Sequence, residues 1–168
     1  MTQIKRINTD MKNIIETNRL ILREFEPQDF ADLEEILCDK EVMYAYEHAF
    51  SKEEVLNWVL GNEMRYDVDG FGLWAVILKE TNEFVGQCGL TIQDINGEKY
   101  LEVGYLFKKK HWHKGFATEA AIACKNYAFK TLNAEKVYSI IRTNNIASQR
   151  VAERNGMKIE KEIIPRSV

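Results

Sequence analysis

Apolar residues recur along this chain with two periods, one of about 3.6 and one of 2, and the switches between them outline its elements. Within residues 15–25 the run Leu20-Ile21-Leu22 predicts a first strand. Pro27, whose fixed φ suits the first turn of a helix, then precedes Phe30, Leu33 and Leu37 on one helical face that ends near Asp39. Ser51-Lys52-Glu53-Glu54 has the spacing of a capping box, in which the Ser and Glu side chains each satisfy a free N–H, so a second helix starts at Ser51 and carries Val55, Trp58 and Val59 on one stripe. Gly70 and Gly72 open a β region of three runs, 73–78, 84–92 and 100–107, broken at Thr81-Asn82 and at Asn96-Gly97. Asn-Gly is a strong hairpin signal because both residues tolerate positive φ, so the three runs predict an antiparallel meander.

Ala117, Ala121, Cys124 and Ala128 then repeat at helical spacing to about Thr131, and their small side chains let a helix lie close on a sheet. Residues 137–141 read as a buried strand. Asn144 or Asn145 suits the cap of a fourth helix bearing Ile146, Ala147, Val151 and Ala152, Gly156 sits where that helix stops, and residues 157–164 read as a last strand. The order β-α-α-β-β-β-α-β-α-β predicts an α/β (α+β) fold: a mixed, mostly antiparallel central sheet flanked by about four helices. No repeat, low-complexity tract or linker divides residues 1–168, so a single domain is expected, with 1–13 as a flexible extension.

Composition narrows the setting. A chain of 168 residues, 45% apolar and 29% charged, can bury a core without disulfide or metal staples. Its net charge of −3 disfavours a general nucleic-acid surface, so no DNA partner is expected. Cys38, Cys88 and Cys124 are odd in number and far apart, which suits reduced thiols in a cytoplasmic protein. The first residues lack the apolar core of a signal peptide, no run is long enough to cross a bilayer, and no membrane partner is expected.

The densest chemistry lies at His111-Trp112-His113-Lys114-Gly115-Phe116-Ala117-Thr118-Glu119-Ala120, where a strand runs in and a helix runs out. The first turn of a helix leaves N–H groups without partners and its dipole favours negative charge, so phosphate or pyrophosphate binds there readily. Gly115 allows backbone to approach a ligand and Ala117 adds little bulk. Neither the dinucleotide fingerprint nor the phosphate-loop pattern is present, because their glycines are missing. His111 and His113 form H-x-H, but no third or fourth ligand lies near, so no metal is expected. Lys108, Lys109, Lys110 and Lys114 suit phosphates or simply a solvated edge, and Trp58 and Trp74 read as core.

Three separated pieces carry a family resemblance. They are Glu16-Thr17-Asn18-Arg19-Leu20-Ile21-Leu22-Arg23; Glu102-Val103-Gly104-Tyr105 followed by the Trp112 to Ala120 segment; and Asn145-Ile146-Ala147-Ser148 with Val151-Ala152-Glu153-Arg154-Asn155-Gly156-Met157. In this order and spacing they resemble the GNAT superfamily of acyl-CoA-dependent N-acetyltransferases, in particular its RimJ/RimL-like branch. The superfamily's loop pattern [QR]-x-x-G-x-[GA] falls on Trp112, Gly115 and Ala117, with Trp112 departing from Gln or Arg. The resemblance implies a sheet splayed between the fourth and fifth strands and acetyl-CoA as the bound donor, leaving as CoA. It implies that the pyrophosphate rests on Trp112, His113, Lys114, Gly115, Phe116, Ala117 and Thr118, that the pantetheine runs past Leu106 and Phe107 between the strands 101–107 and 137–141, and that Asn145 and Ser148 touch the donor. The family fold normally closes with one more strand, yet only four residues follow Ile164. An open edge invites pairing, so a homodimer or swapped assembly is expected.

Transfer from a thioester needs a neutral amine, a place for the oxyanion and a proton for the departing thiolate. With reference pKa values of ~10.4 for lysine and ~8 for an α-amine, deprotonation at pH 7 costs roughly 4.6 and 1.4 kcal/mol. Glu102, on the strand that reaches the thioester, is the candidate base, although a strand Glu beside Lys99 and Tyr100 also suits a paired surface residue. A backbone N–H near Leu106 is implied as the oxyanion donor. Ser148 is the candidate acid, or else a cap hydroxyl bonded to nearby backbone, with Tyr105 and Tyr138 as alternatives. Residues Asp39, Glu41, Tyr44, Tyr46, Glu47 and His48 join the first two helices where this family builds its acceptor pocket, and their carboxylates suit a cationic amine. The expected acceptor is a protein N-terminus or a small-molecule amine. A non-catalytic acyl-CoA sensor and a nucleotide-binding protein remain as other readings of the same helix end.

Overall fold

The computed structural model describes residues 13–164. At its centre is an antiparallel sheet in the order β1 (Asn13–Glu16), β2 (Leu20–Arg23), β3 (Leu73–Leu78), β4 (Glu83–Ile95) and β5 (Glu98–Phe107). The strand expected over 15–25 is a hairpin rather than one run. Thr17 turns the chain: its N–H donates to the Leu20 carbonyl at 2.9 Å, and its hydroxyl accepts from the Leu20 N–H at 3.0 Å. Asn13, expected in a flexible extension, opens β1, and residues 1–12 lie outside the described residues.

The meander forms as its turns dictate. Asn96 and Gly97 take φ of 55° and 87°, and Asp94 Oδ1 accepts from the Gly97 N–H at 2.9 Å. On one face of the sheet lie α1 (Phe30–Leu37), which follows a 3-10 turn at Pro27–Asp29, and α2 (Lys52–Val68), which begins at the expected capping box. Leu33, Ile36, Leu37 and Val55 pack there on Leu73, Ala75 and Ile77. The other face takes α3 (Phe116–Lys130) and α4 (Ile146–Arg154). Ala120, Ala121, Cys124 and Ala128 meet Val76, Val85, Cys88, Leu90 and Val103, and these small residues bring α3 close enough to set the Cys88 and Cys124 sulfurs 3.6 Å apart as free thiols. Trp74 is buried in this second core, while Trp58 is half-buried and donates from Nε1 to Gln87 Oε1 at 3.0 Å.

Among the described residues two expected strands do not form. Residues 137–141 contribute only a parallel bridge from Tyr138 to Glu102, made by Val103 N–H to the Tyr138 carbonyl (2.8 Å) and Tyr138 N–H to the Leu101 carbonyl (2.9 Å). Past this point β5 and the neighbouring segment part. The Tyr105 hydroxyl reaches across to the Ser148 carbonyl of α4 at 2.9 Å, and the Phe107 carbonyl, an edge group that a strand at 137–141 would meet, accepts instead from Trp112 Nε1 of the loop at 3.0 Å. The last strand, expected over 157–164, is likewise absent: Ile159 and Ile164 are 87% and 89% exposed, so this segment buries no face that would fix a register. Among the described residues no helix is long and apolar enough to cross a membrane.

Candidate active site

The loop from Trp112 to Thr118 is shaped by two left-handed residues, His113 at φ 63° and Gly115 at φ 79°. Gly115 is the N-cap of α3 and, having no side chain, leaves the first-turn N–H groups of Phe116, Ala117 and Thr118 without a side-chain cap. The helix end is thereby open to an anionic ligand, and a pyrophosphate fits its donor set.

Two residues of the opening motif hold this loop from behind. The Glu119 carboxylate accepts from Thr17 Oγ1 (2.6 Å), Arg19 N (3.0 Å) and Arg19 Nε (2.7 Å), and these bonds outweigh burial to lower its pKa. Arg19 donates from Nη1 to the Lys114 carbonyl at 2.8 Å and lies over the Phe116 ring, 4.6 Å from its centroid. Thr17, Arg19 and Glu119 belong to two separated motifs, and no local spacing signals that they meet across about 100 residues.

The lysine run is a set of ion pairs rather than a free edge. Lys108 is 3% exposed; burial opposes its charge, yet Asp32 at 2.6 Å and Glu35 at 2.9 Å raise its pKa. Lys109 pairs with Glu41, and Lys110 with Glu35 at 3.6 Å and Glu83 at 3.7 Å. Lys114 instead sits 3.3 Å from His111 Nδ1. His111 is buried, which lowers its pKa against the opposing pull of Glu83, while His113 is exposed. No cluster of three or more potential metal ligands occurs among the described residues.

Strand alternation assigns the two sides of β5. Leu101, Val103, Tyr105 and Phe107 pack with α3 and α4, and the residues between them turn to the α1–α2 face. The bonds from Val103 to Tyr138 fix the backbone as well. The pairing of Gly104 with Gly89 and Leu106 with Gln87 points their N–H groups at β4, whereas Tyr105 and Phe107 direct theirs to the opening. Glu102 therefore stands on the α1–α2 face at the backbone bridge between β5 and residues 137–141. Burial pushes its carboxyl up to about 7, with the Arg65 charge opposing.

Across that opening, α4 begins at Asn145. Its side chain caps the helix, with Oδ1 accepting from the Ser148 N–H at 3.2 Å, so the cap is Asn145 and the Ser148 hydroxyl is not needed for it. Tyr105 is held at this turn by its bond to the Ser148 carbonyl, and burial raises its pKa, which keeps it a donor. Tyr138 is stacked edge-on against Tyr100 at 5.0 Å, on the Glu102 face. In the loop before α2, Asp39 caps the Glu41 N–H at 2.8 Å, Glu41 pairs with Lys109, and His48 pairs with Glu54 at 2.8 Å. Of that loop, Tyr44 donates to Asn145 Oδ1 at 2.6 Å, and the pKa of Tyr46 is raised by burial first and by the Glu102 charge second, with Arg142 opposing. Arg65 and Tyr44 carry no motif and were not expected in these roles.

Residues 19–158 match the family described as Acetyltransferase (GNAT) domain. The uncharacterized protein YkkB of Bacillus subtilis (strain 168) is 39% identical over 153 residues, covering 90% of this chain and 89% of that protein. A crystal structure of an acetyltransferase from Agrobacterium tumefaciens str. C58 superimposes with a TM-score of 0.80 at 28% identity, over 92% of this chain and 88% of that one. RimL, a ribosomal L7/L12 alpha-N-protein acetyltransferase solved in complex with coenzyme A, shares the fold at a TM-score of 0.69 and 20% identity, over 86% of this chain and 82% of its own.

Proposed function

The chain belongs to the GNAT family of acetyltransferases, and from that membership we propose that it moves the acetyl group of acetyl-CoA onto a primary amine by direct attack. The observation that carries this reading is Glu102, a carboxyl with pKa near 7 at the mouth of the sheet opening, on the strand that leads to the uncapped start of α3. A protein of the same fold holding coenzyme A supports acetyl-CoA as the donor. The donor supplies the activated acyl group. Lys114 to Thr118 offer backbone N–H groups to its pyrophosphate, Trp112 and His113 shape the turn, and Asn145 offers its side chain farther along.

Donor and acceptor approach β5 from opposite faces. Glu102 accepts a proton from the amine on the α1–α2 face, directly or through water. The edge-facing N–H groups of Tyr105 and Phe107, on either side of Leu106, stabilise negative charge on the thioester oxygen. Ser148 gives a proton to the departing thiolate, directly or through water, while the Tyr105 hydroxyl donates its one hydrogen to the Ser148 carbonyl and holds that turn in place. An acceptor α-amine needs only the smaller deprotonation cost of about 1.4 kcal/mol, which a base of pKa near 7 meets, so a protein N-terminus or a small-molecule α-amine is the favoured class.

Thiol release from acetyl-CoA across a panel of peptide α-amines and small amines tests the reading. Release with a primary amine is expected; binding of CoA with no release across the panel would favour a non-catalytic binder. Ser148→Ala should lower kcat about 10-fold, less than the usual range for an acid because a thiolate leaves readily, and should leave the KM for acetyl-CoA unchanged. An unchanged kcat would remove the acid role from Ser148.

A further inference from the structure

Tyr44 projects from the segment between α1 and α2 and ends on the other side of the sheet opening, where its hydroxyl donates to Asn145 Oδ1 at 2.6 Å. The same oxygen accepts from the Ser148 N–H at 3.2 Å. An amide oxygen has two lone pairs, and both are now used. This fixes which way the Asn145 amide is turned: its Nδ2 hydrogens are the polar group left to a ligand. Two residues farther along the same loop, Tyr46 lies in the electrostatic reach of Glu102 and Arg142. One loop thus bonds the helix cap on the donor side through Tyr44 and carries Tyr46 within reach of the Glu102 charge on the acceptor side.

We propose that Tyr44 is a positioning residue which locks the Asn145 amide as a donor toward a carbonyl of the pantetheine arm, and which thereby couples donor binding to the order of the loop carrying Tyr46. The proposal rests on the reading above that Asn145 contacts the donor. The coupling is reciprocal: whatever stabilises the locked amide stabilises the loop that locks it, and the loop in turn strengthens donor binding. Tyr44 is itself half-exposed, 49%, so removing its hydroxyl leaves the core packing intact.

The test is calorimetric titration of the full chain with CoA for the wild type, Tyr44→Phe, Asn145→Ala and the double variant, with hydrogen exchange at the Met43 and Tyr46 amides with and without CoA. Loss of one hydrogen bond to the amide should weaken CoA binding about 3- to 10-fold in Tyr44→Phe. The double variant should bind no more weakly than Asn145→Ala alone, because Tyr44 acts through Asn145; a role confined to the fold would give additive losses. CoA should slow exchange at Met43 and Tyr46 in the wild type and not in Tyr44→Phe. Equal CoA affinity in wild type and Tyr44→Phe, additive losses, or CoA-induced protection that persists in Tyr44→Phe would each overturn the proposal while leaving the donor site standing. A wild type that does not bind CoA would overturn the donor reading, and this inference with it.

Discussion

Glu102→Gln is expected to lower kcat/KM for an α-amine acceptor by about 10²-fold, near the lower end of what a positioned general base supplies. Glutamine keeps the shape and the hydrogen-bonding reach of the side chain but takes no proton. The wild-type profile should rise with pH through about 7, since Glu102 works only when ionised and burial holds its pKa there; the variant should lose that limb. Stability should move the opposite way. The folded pKa of Glu102, about 7, lies above its ordinary value of 4.5, so its favourable contribution is fully present below the latter and is lost as pH rises through the former. The variant should therefore melt at a higher temperature than the wild type at about pH 8 and at a similar one near the ordinary carboxyl pKa. A variant that retains full activity with the same pH profile would show that Glu102 is a buried structural acid and that the amine loses its proton elsewhere.

Gly115→Val should strike the donor side as heavily. Gly115 has φ 79°, in the left-handed region, where a side chain costs about 1–2 kcal/mol and a β-branched one sits at the upper end. A Cβ there would come within 3.3 Å of Arg19 Nη2, on the guanidinium that holds the Lys114 carbonyl and the Glu119 carboxylate. The strain falls on the residues that aim the first N–H groups of α3. Urea unfolding should show a loss of about 2 kcal/mol, and calorimetry a CoA affinity at least about 10-fold weaker, since the displaced N–H groups are charge-assisted donors. Gly115→Ala should show the same effects to a smaller degree. A Gly115→Val protein that folds and binds CoA as the wild type does would exclude this loop as the pyrophosphate site.

What could be read from the sequence was whatever depends on neighbours along the chain. The Ser51 capping box, the Asn96-Gly97 turn and the Gly115 helix start are local, and each stands where its residue types require. The small-residue stripe of α3 also carried its packing with it. The sequence misled where a run of β-branched residues lacked a neighbour to pair with. Residues 137–141 have the composition of a strand, but Tyr105 reaches past them to α4, and the run keeps a single bridge. Thr17 broke the expected first strand because its side chain competes for the backbone of Leu20.

The site divides in the same way. Its backbone donors were legible from one loop, and Glu102 from its place on a strand. The groups that tune them come from far along the chain and follow no spacing rule. Arg65 acts on Glu102 from α2, Thr17 and Arg19 of the first hairpin brace the loop through Glu119, and Tyr44 reaches Asn145 over 101 positions. The lysine run shows why charge alone was ambiguous: Lys108 looks like a surface residue in sequence, and two carboxylates of α1 make it a buried one.

If the protein is an acetyl-CoA-dependent transferase, the start of α3 and the opening beside β5 hold acetyl-CoA. Thermal unfolding of the full chain with acetyl-CoA, CoA, ATP and NAD, each at the same concentration, tests it most directly. Acetyl-CoA and CoA should raise the melting temperature, an effect lost in Gly115→Val, and ATP or NAD should change it little. Stabilisation by ATP or NAD alone would contradict the acetyl-CoA site.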